Sequence, residues 1–124
     1  MSGAGTYLTG GGPGGVSVWN DSTSTPIALV PNQGYLADRV AGPVTFTLPI
    51  IAIEGSVISI AGIQNGWVIT QNTGQKIHCG NQTTILGVAG TITSTNAFDA
   101  ISLLCIAANA TWTTLSVVGV PIVA

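Results

Sequence analysis

Residues 44–80, VTFTLPIIAIEGSVISIAGIQNGWVITQNTGQKIHCG, carry the densest run of strand signals in the chain. Val44, Phe46 and Leu48 alternate with Thr45 and Thr47, which gives a pleated strand one apolar face and one hydroxyl-bearing face. Beyond Pro49 and the apolar link from Ile50 to Ile53, Glu54-Gly55 makes a turn. Ser56 to Ala61 then resumes with β-branched residues that suit a pleated surface better than a helix. Asn65-Gly66 can take the positive φ angles of a tight turn, so Val57–Ile60 and Trp67–Thr70 are predicted to pair as an antiparallel hairpin. Thr73-Gly74 repeats the device and sends Ile77–Cys79 back along the sheet, which predicts a meander.

Strand patterning continues on both sides. Val16, Val18 and Asn20 alternate with Ser17 and Trp19, and the residues from Asn20 to Pro26 form a turn cluster. Ile27–Val30 and Tyr35–Ala37 flank the turn Pro31-Asn32-Gln33-Gly34. After Gly80, short strands are predicted at Thr84–Val88 and Thr91–Thr95. In Ile101–Ala108, one face holds Ile101, Leu103 and Cys105 while the other holds Leu104 and Ile106, a pattern that predicts burial on both sides. Thr111–Val118 returns, and Val120–Val123 closes the chain with Pro121 suited to an edge. No stretch has a helical period. Gly and Thr content with closely spaced turns predicts an all-β fold, an antiparallel β-sandwich or barrel-like jelly roll of roughly ten short strands. One domain spans residues 16–124. It is preceded by a Gly-rich flexible arm or linker at residues 1–15, MSGAGTYLTGGGPGG, whose only bulky groups are Tyr7 and Leu8.

Charge is the unusual quantity. The 124 residues hold two basic side chains (Arg39, Lys76) and four acidic ones (Asp21, Asp38, Glu54, Asp99), a formal net charge of −2. A typical soluble domain is about a quarter charged. So neutral a surface favours association, and the chain is read as a subunit that hides surface against copies of itself, with Tyr7, Leu8, Trp67 and Trp112 as candidate contact residues. Two cations cannot neutralise a nucleic-acid backbone, so no nucleic-acid partner is expected. Every long apolar window is broken by Gly, Pro or polar residues at strand spacing, so membrane insertion is not expected. No basic-then-apolar leader is visible at the N-terminus. Cys79 and Cys105 fall in apolar strands and read as buried free thiols, a disulfide requiring that their strands be neighbours.

The residue inventory offers little for catalysis. His78 is the only histidine, and strand alternation points it away from Cys79. Asp38, Glu54 and Asp99 stand singly in candidate turns, which reads as three solvated carboxylates. Two Cys and one His do not complete a zinc site, no calcium loop is present, and GGGPGG at residues 10–15 lacks the Lys-Ser/Thr of a phosphate loop. No catalytic residue, metal ligand or cofactor is therefore expected. The composition fits sugar recognition best, because Trp can stack on a pyranose face while Asn, Gln and Thr bond its hydroxyls. Trp19, next to a polar turn, is the best exposed aromatic, and Trp19, Asn20 and Asp21 form the candidate contact loop.

The segments TLP (47–49), EGSVISIAG (54–62), GWVITQNTGQKIHCG (66–80), STNAFDAISLLCIAANATW (94–112) and SVVG (116–119) resemble a β-rich domain of phage tail-fibre proteins, large DNA virus proteins and the C-terminal ends of bacterial collagen-like surface proteins. Cys79 stands where that family implies an aromatic. The resemblance implies a homotrimeric module of a virion or an extracellular surface, structural or adhesive, with no catalytic residues to carry over. Its implied partners are copies of itself, other virion or fibre proteins, and cell-surface glycans. An alternative is a self-polymerising filament subunit whose residues 1–15 dock on a neighbour.

Overall fold

The structure, a computed structural model, describes residues 16–124. The expectations for residues 1–15, including Tyr7 and Leu8, lie outside them. The described chain is all-β: β1 (Trp19–Ser22), β2 (Ile27–Ala28), β3 (Gly34–Asp38), β4 (Val44–Thr47), β5 (Val57–Gln64), β6 (Trp67–Thr70), β7 (Lys76–Cys79), β8 (Gln82–Thr83), β9 (Thr91–Thr93), β10 (Ala100–Ala107), β11 (Thr111–Val118) and β12 (Ile122–Val123). They form a sandwich of a seven-stranded sheet, β1-β3-β5-β10-β11-β7-β8, and a five-stranded sheet, β12-β9-β6-β4-β2.

The sandwich is as expected, but its sheets are mixed. β1, β3 and β5 run parallel in one sheet, as do β2, β4 and β6 in the other, and β7 runs parallel to β11. The remaining pairs are antiparallel. The predicted hairpin between Val57–Ile60 and Trp67–Thr70 is therefore corrected, and the meander with it. Asn65 and Gly66 do make a tight turn, with φ of 60° and 73°. The turn instead carries the chain from the seven-stranded sheet to the five-stranded one, and β6 pairs with β4 and β9. A hairpin would set the two strands side by side, with their apolar faces pointing the same way. Crossing over lets Ile58 and Ile60 of β5 and Trp67 and Ile69 of β6 all enter the shared core. Gly66 is needed twice over, for its φ and because a Cβ there would collide with the Ser94 hydroxyl.

The core contains Val44, Phe46 and Leu48 from the first predicted strand, together with Ile77, Ile92, Ile101, Leu103 and Cys105. Tyr35 packs on Phe46 with ring centroids 5.6 Å apart. Its hydroxyl accepts a 2.7 Å bond from the Val30 amide, and burial pushes its pKa up against the lowering effect of that bond. Trp67 and Trp112 are both 0 % exposed and lie in this core. Their rings have no surface to offer another subunit, contrary to the contact role suggested from sequence. The two-sided burial predicted for β10 is also corrected. Ile101, Leu103 and Cys105 are buried, but Leu104 is half-buried and Ile106 is exposed, because none of the described residues covers the outer face of the seven-stranded sheet there. Both cysteines are free thiols, Cys105 buried and Cys79 only half-buried.

Because successive strands cross between sheets, the connections gather at two ends. One end, here the near end, holds the loops at residues 29–33, 48–56, 71–75, 84–90 and 108–110. Side-chain amides satisfy the backbone groups of these loops. Gln75 Nε2 donates to the carbonyls of Pro49 (2.7 Å) and Asn109 (3.2 Å), while its Oε1 accepts from the Asn72 amide (2.8 Å). Gln71 Nε2 lies within bonding distance of the carbonyls of Gln75, Ile85 and Gly87, and its Oε1 accepts from the Thr84 hydroxyl. Asn72 Nδ2 reaches the Leu48 carbonyl, and Asn109 Oδ1 accepts from the Ala52 amide. Gln71 and Gln75 are almost fully buried, at 3 % and 1 % exposure.

At the opposite, far end, Asp99 does comparable work. Its carboxylate accepts from the Thr95 amide (2.8 Å), the Asn96 amide (3.1 Å) and the Thr95 hydroxyl (3.1 Å), and its carbonyl takes Trp67 Nε1–H (2.8 Å). Desolvation pushes the Asp99 pKa up, but those three bonds outweigh it and the net shift is downward. The sequence reading of Asp99 as a solvated carboxylate is thus corrected, since the residue is buried.

Two predictions follow from these buried groups. Gln75→Ala strands two carbonyls and an amide, and is expected to lower unfolding free energy by about 2–4 kcal/mol in urea titration, whereas Asn81→Ala changes it by less than about 0.5 kcal/mol. For Asp99, a depressed folded pKa adds stability that is present above the unfolded value of about 3.9 and lost as pH falls through the folded value. Asp99→Asn should therefore show a shallower loss of stability below about pH 4 than the parent chain.

Candidate functional site

Trp19, Asn20 and Asp21 lie in β1, the edge strand of the seven-stranded sheet, rather than in a loop. Strand alternation separates them. Trp19 and Asp21 share the outer face, while Asn20 and Ser22 point the other way. β1 pairs with β3 in parallel register, Trp19 opposite Gly34 and Asp21 opposite Leu36. The indole lies flat over Gly34, where a Cβ would come within 2.5 Å of Trp19 Cδ2 and Cε3. Gly34 is therefore the seat of the ring. With 51 % of its surface exposed, Trp19 presents an aromatic face to solvent at the rim of the sheet.

Asn20 is not free to join it. Its Nδ2 donates to Gln33 Oε1 (3.0 Å) and to the Gly34 carbonyl (3.1 Å), which ties β1 to the turn before β3. Asp21 instead meets Asp38, one pleat further along the outer face of β3, a pairing that spacing in the sequence did not show. Interaction with the Asp38 carboxyl, desolvation and repulsion between the two charges together raise the Asp21 pKa. Gln64 Nε2 donates to Asp38 Oδ1 at 2.8 Å. Because the Asp21 shift is upward, its small stabilising effect is present below about pH 3.9 and fades as pH rises through the folded value. The sign is opposite to that of Asp99.

An exposed indole beside a pair of carboxyl oxygens is suited to one class of small ligand. The ring stacks on an apolar face, while the oxygens accept from hydroxyls. The Asn and Gln residues invoked alongside Trp19 are mostly committed elsewhere, since Gln71, Asn72 and Gln75 bond loops within the near end. His78 Nδ1 lies 2.8 Å from the Thr83 hydroxyl across β7 and β8, on the opposite side of the strand from the buried Ile77. Among the described residues, no three His, Cys, Asp or Glu side chains gather as metal ligands, and no helix is long and apolar enough to cross a membrane.

Among the described residues, two grooves bear on the surface chemistry. One, of about 380 Å³, lies between β11 and the β7–β8 turn and includes Cys79, Gln82, Leu115 and Val117. Among the described residues β11 pairs with β7 only from Thr111 to Thr113, and the backbone from Thr114 onward runs along this groove. The other, of about 350 Å³, lies at the near end among Val30, Pro31, Leu48, Ile50 and Ile51. Neither includes Trp19. The sequence reading did not single out these grooves, although the uninterrupted apolar run from Ile50 to Ile53 is a visible signal for the second.

Gly34→Ala should unseat the indole while leaving β3 in place. The expected outcome is a red shift and loss of intensity in the fluorescence component removed by Trp19→Phe, with the signal from buried Trp67 and Trp112 unchanged. No protein-family model matches this chain, and no curated protein is significantly similar to it.

Proposed function

We propose that this chain is a non-enzymatic structural module of a virion or cell-surface fibre that associates with copies of itself, a trimer being the arrangement the tail-fibre resemblance implies. One observation carries the self-association: among the described residues, eighteen large apolar side chains are substantially exposed, from Ile106 at 40 % and Val117 at 37 % to Val40 at 82 %. Only six charged residues in the whole chain are available to keep that surface apart from its like. The fibre setting rests on the sequence resemblance. A folded protein this poor in charge gains more from burying such surface than from exposing it, because apolar burial is worth roughly 25 cal/mol per Å².

A second reading is favoured by the seat of Trp19. An edge-strand indole seated on Gly34, with Asp21 two residues along the same face and Asp38 beyond it, supports carbohydrate recognition by the same module. The reading of residues 1–15 as a docking arm stands as a third, and polymers that form without the arm would overturn it.

Light scattering across a micromolar concentration series tests the principal reading. A mass of three protomers is expected, and a monomer throughout would overturn it. A glycan array separates the second reading from the first: binding that is lost in Trp19→Ala supports recognition, and silence on every glycan removes it.

A further inference from the structure

The exposed apolar side chains are unevenly distributed between the two ends of the sandwich. The near-end loops put forward Val30, Ile50, Ile51, Ile53, Ile85, Leu86 and Val88, exposed by 45, 73, 76, 73, 58, 64 and 69 %. Five lie at the far end, Val40, Ile63, Phe98, Val118 and Val120, with the charged side chains Arg39 and Asp38 near them. Within the five near-end loops the only ionisable side chain is Glu54. Summed, aliphatic tips of this number offer on the order of 800 Å², the area each partner contributes to a standard protein interface.

The tips are also held rigidly. Gln75 bonds the 48–52 segment to the turn at 109, and Gln71 bonds the 85–87 segment to the same 71–75 loop. The two apolar loops thus flank one buried amide pair and keep fixed positions relative to each other. A preorganised apolar surface loses little conformational entropy on docking. The groove among Val30, Pro31, Ile50 and Ile51 gives the patch a recess as well as protrusions, so it can both receive and insert side chains.

We infer that the near end, centred on Ile50, Ile51, Ile53, Ile85 and Leu86, is a docking surface whose occupant is a second copy of this chain. The occupant follows from three features. The area matches what a stable association needs. A patch with almost no charge meets its own copy without like-charge repulsion. A lipid surface fits less well, because none of these tips is Trp, Tyr or Phe and a single basic side chain, Lys76 at the start of β7, adjoins these loops to meet anionic headgroups. The inference rests on the self-association proposed above and names the surface that produces it.

The test uses the full chain with Ile51→Lys and Leu86→Lys combined, beside a control with Val40→Lys and Phe98→Lys at the far end. Circular dichroism and a urea midpoint check that both variants fold, as the exposure of all four side chains leads one to expect. The expected result is that sedimentation equilibrium shows the near-end variant at least about tenfold weaker in self-association, with the control unchanged. A parent chain that associates equally well with the near-end lysines in place overturns the docking surface and leaves self-association standing. A parent chain that is monomeric throughout overturns both. Flotation of the parent chain with neutral phosphatidylcholine vesicles, lost in the near-end variant, assigns the patch to lipid and likewise overturns the second copy as occupant.

Discussion

Gln71 and Gln75, with Asn72, Thr84 and Asn109 around them, satisfy the backbone of loops that no ladder reaches. A chain that crosses between sheets after nearly every strand creates many connections, and at the near end several of them pack together. Their carbonyl and amide groups leave water without joining either sheet, and a buried backbone group without a partner is destabilising by about 1–3 kcal/mol. A glutamine amide has two donors and an acceptor at the end of a flexible stem, so Gln75 can bond Pro49, Asn109 and Asn72 together. The same bonds determine which loop side chains face outward. With their main chain held inward, Ile50, Ile51, Ile85 and Leu86 are left on the surface.

The few charges follow a related division. Asp99 is buried and ionised because the far-end turn aims two amides and a hydroxyl at it, and it fixes the loop whose carbonyl holds Trp67. Asp21 and Asp38 are on the outer face at the β1–β3 side of the seven-stranded sheet, where the nearby Asp38 carboxyl raises the Asp21 pKa. Neither arrangement is a device for solubility. The work that surface charge does in most soluble domains is left to Thr, Ser and Asn, and what these do not cover is apolar. The proposed structural role rests on that imbalance.

Parts of the candidate site were legible in the sequence. Trp19 precedes a polar turn, and an aromatic so placed has no buried neighbour in the chain, which foretells its exposure. Its seat on Gly34 was not legible, nor was the approach of Asp21 to Asp38, because both arise from the parallel pairing of β1 with β3 across an intervening strand in the other sheet. Asn20 could be named as a polar neighbour of Trp19, but whether its amide faced a ligand or Gln33 depended on the turn before β3.

The alternation of Val44, Phe46 and Leu48 with threonines, the closely spaced turns and the absence of a helical period were sufficient by themselves to determine an all-β fold, a sandwich or a barrel, since a period of two has one face to bury wherever the strand goes. The Asn65-Gly66 pair likewise determined a tight turn. Only the tertiary structure decided that this turn crosses between sheets, that parallel pairs alternate with antiparallel ones, and that Trp67 and Trp112 are enclosed. The physical reason is that local pattern specifies which face of a strand is apolar but not which strand lies beside it. That choice is made by the core, which must enclose the apolar faces of both sheets at once.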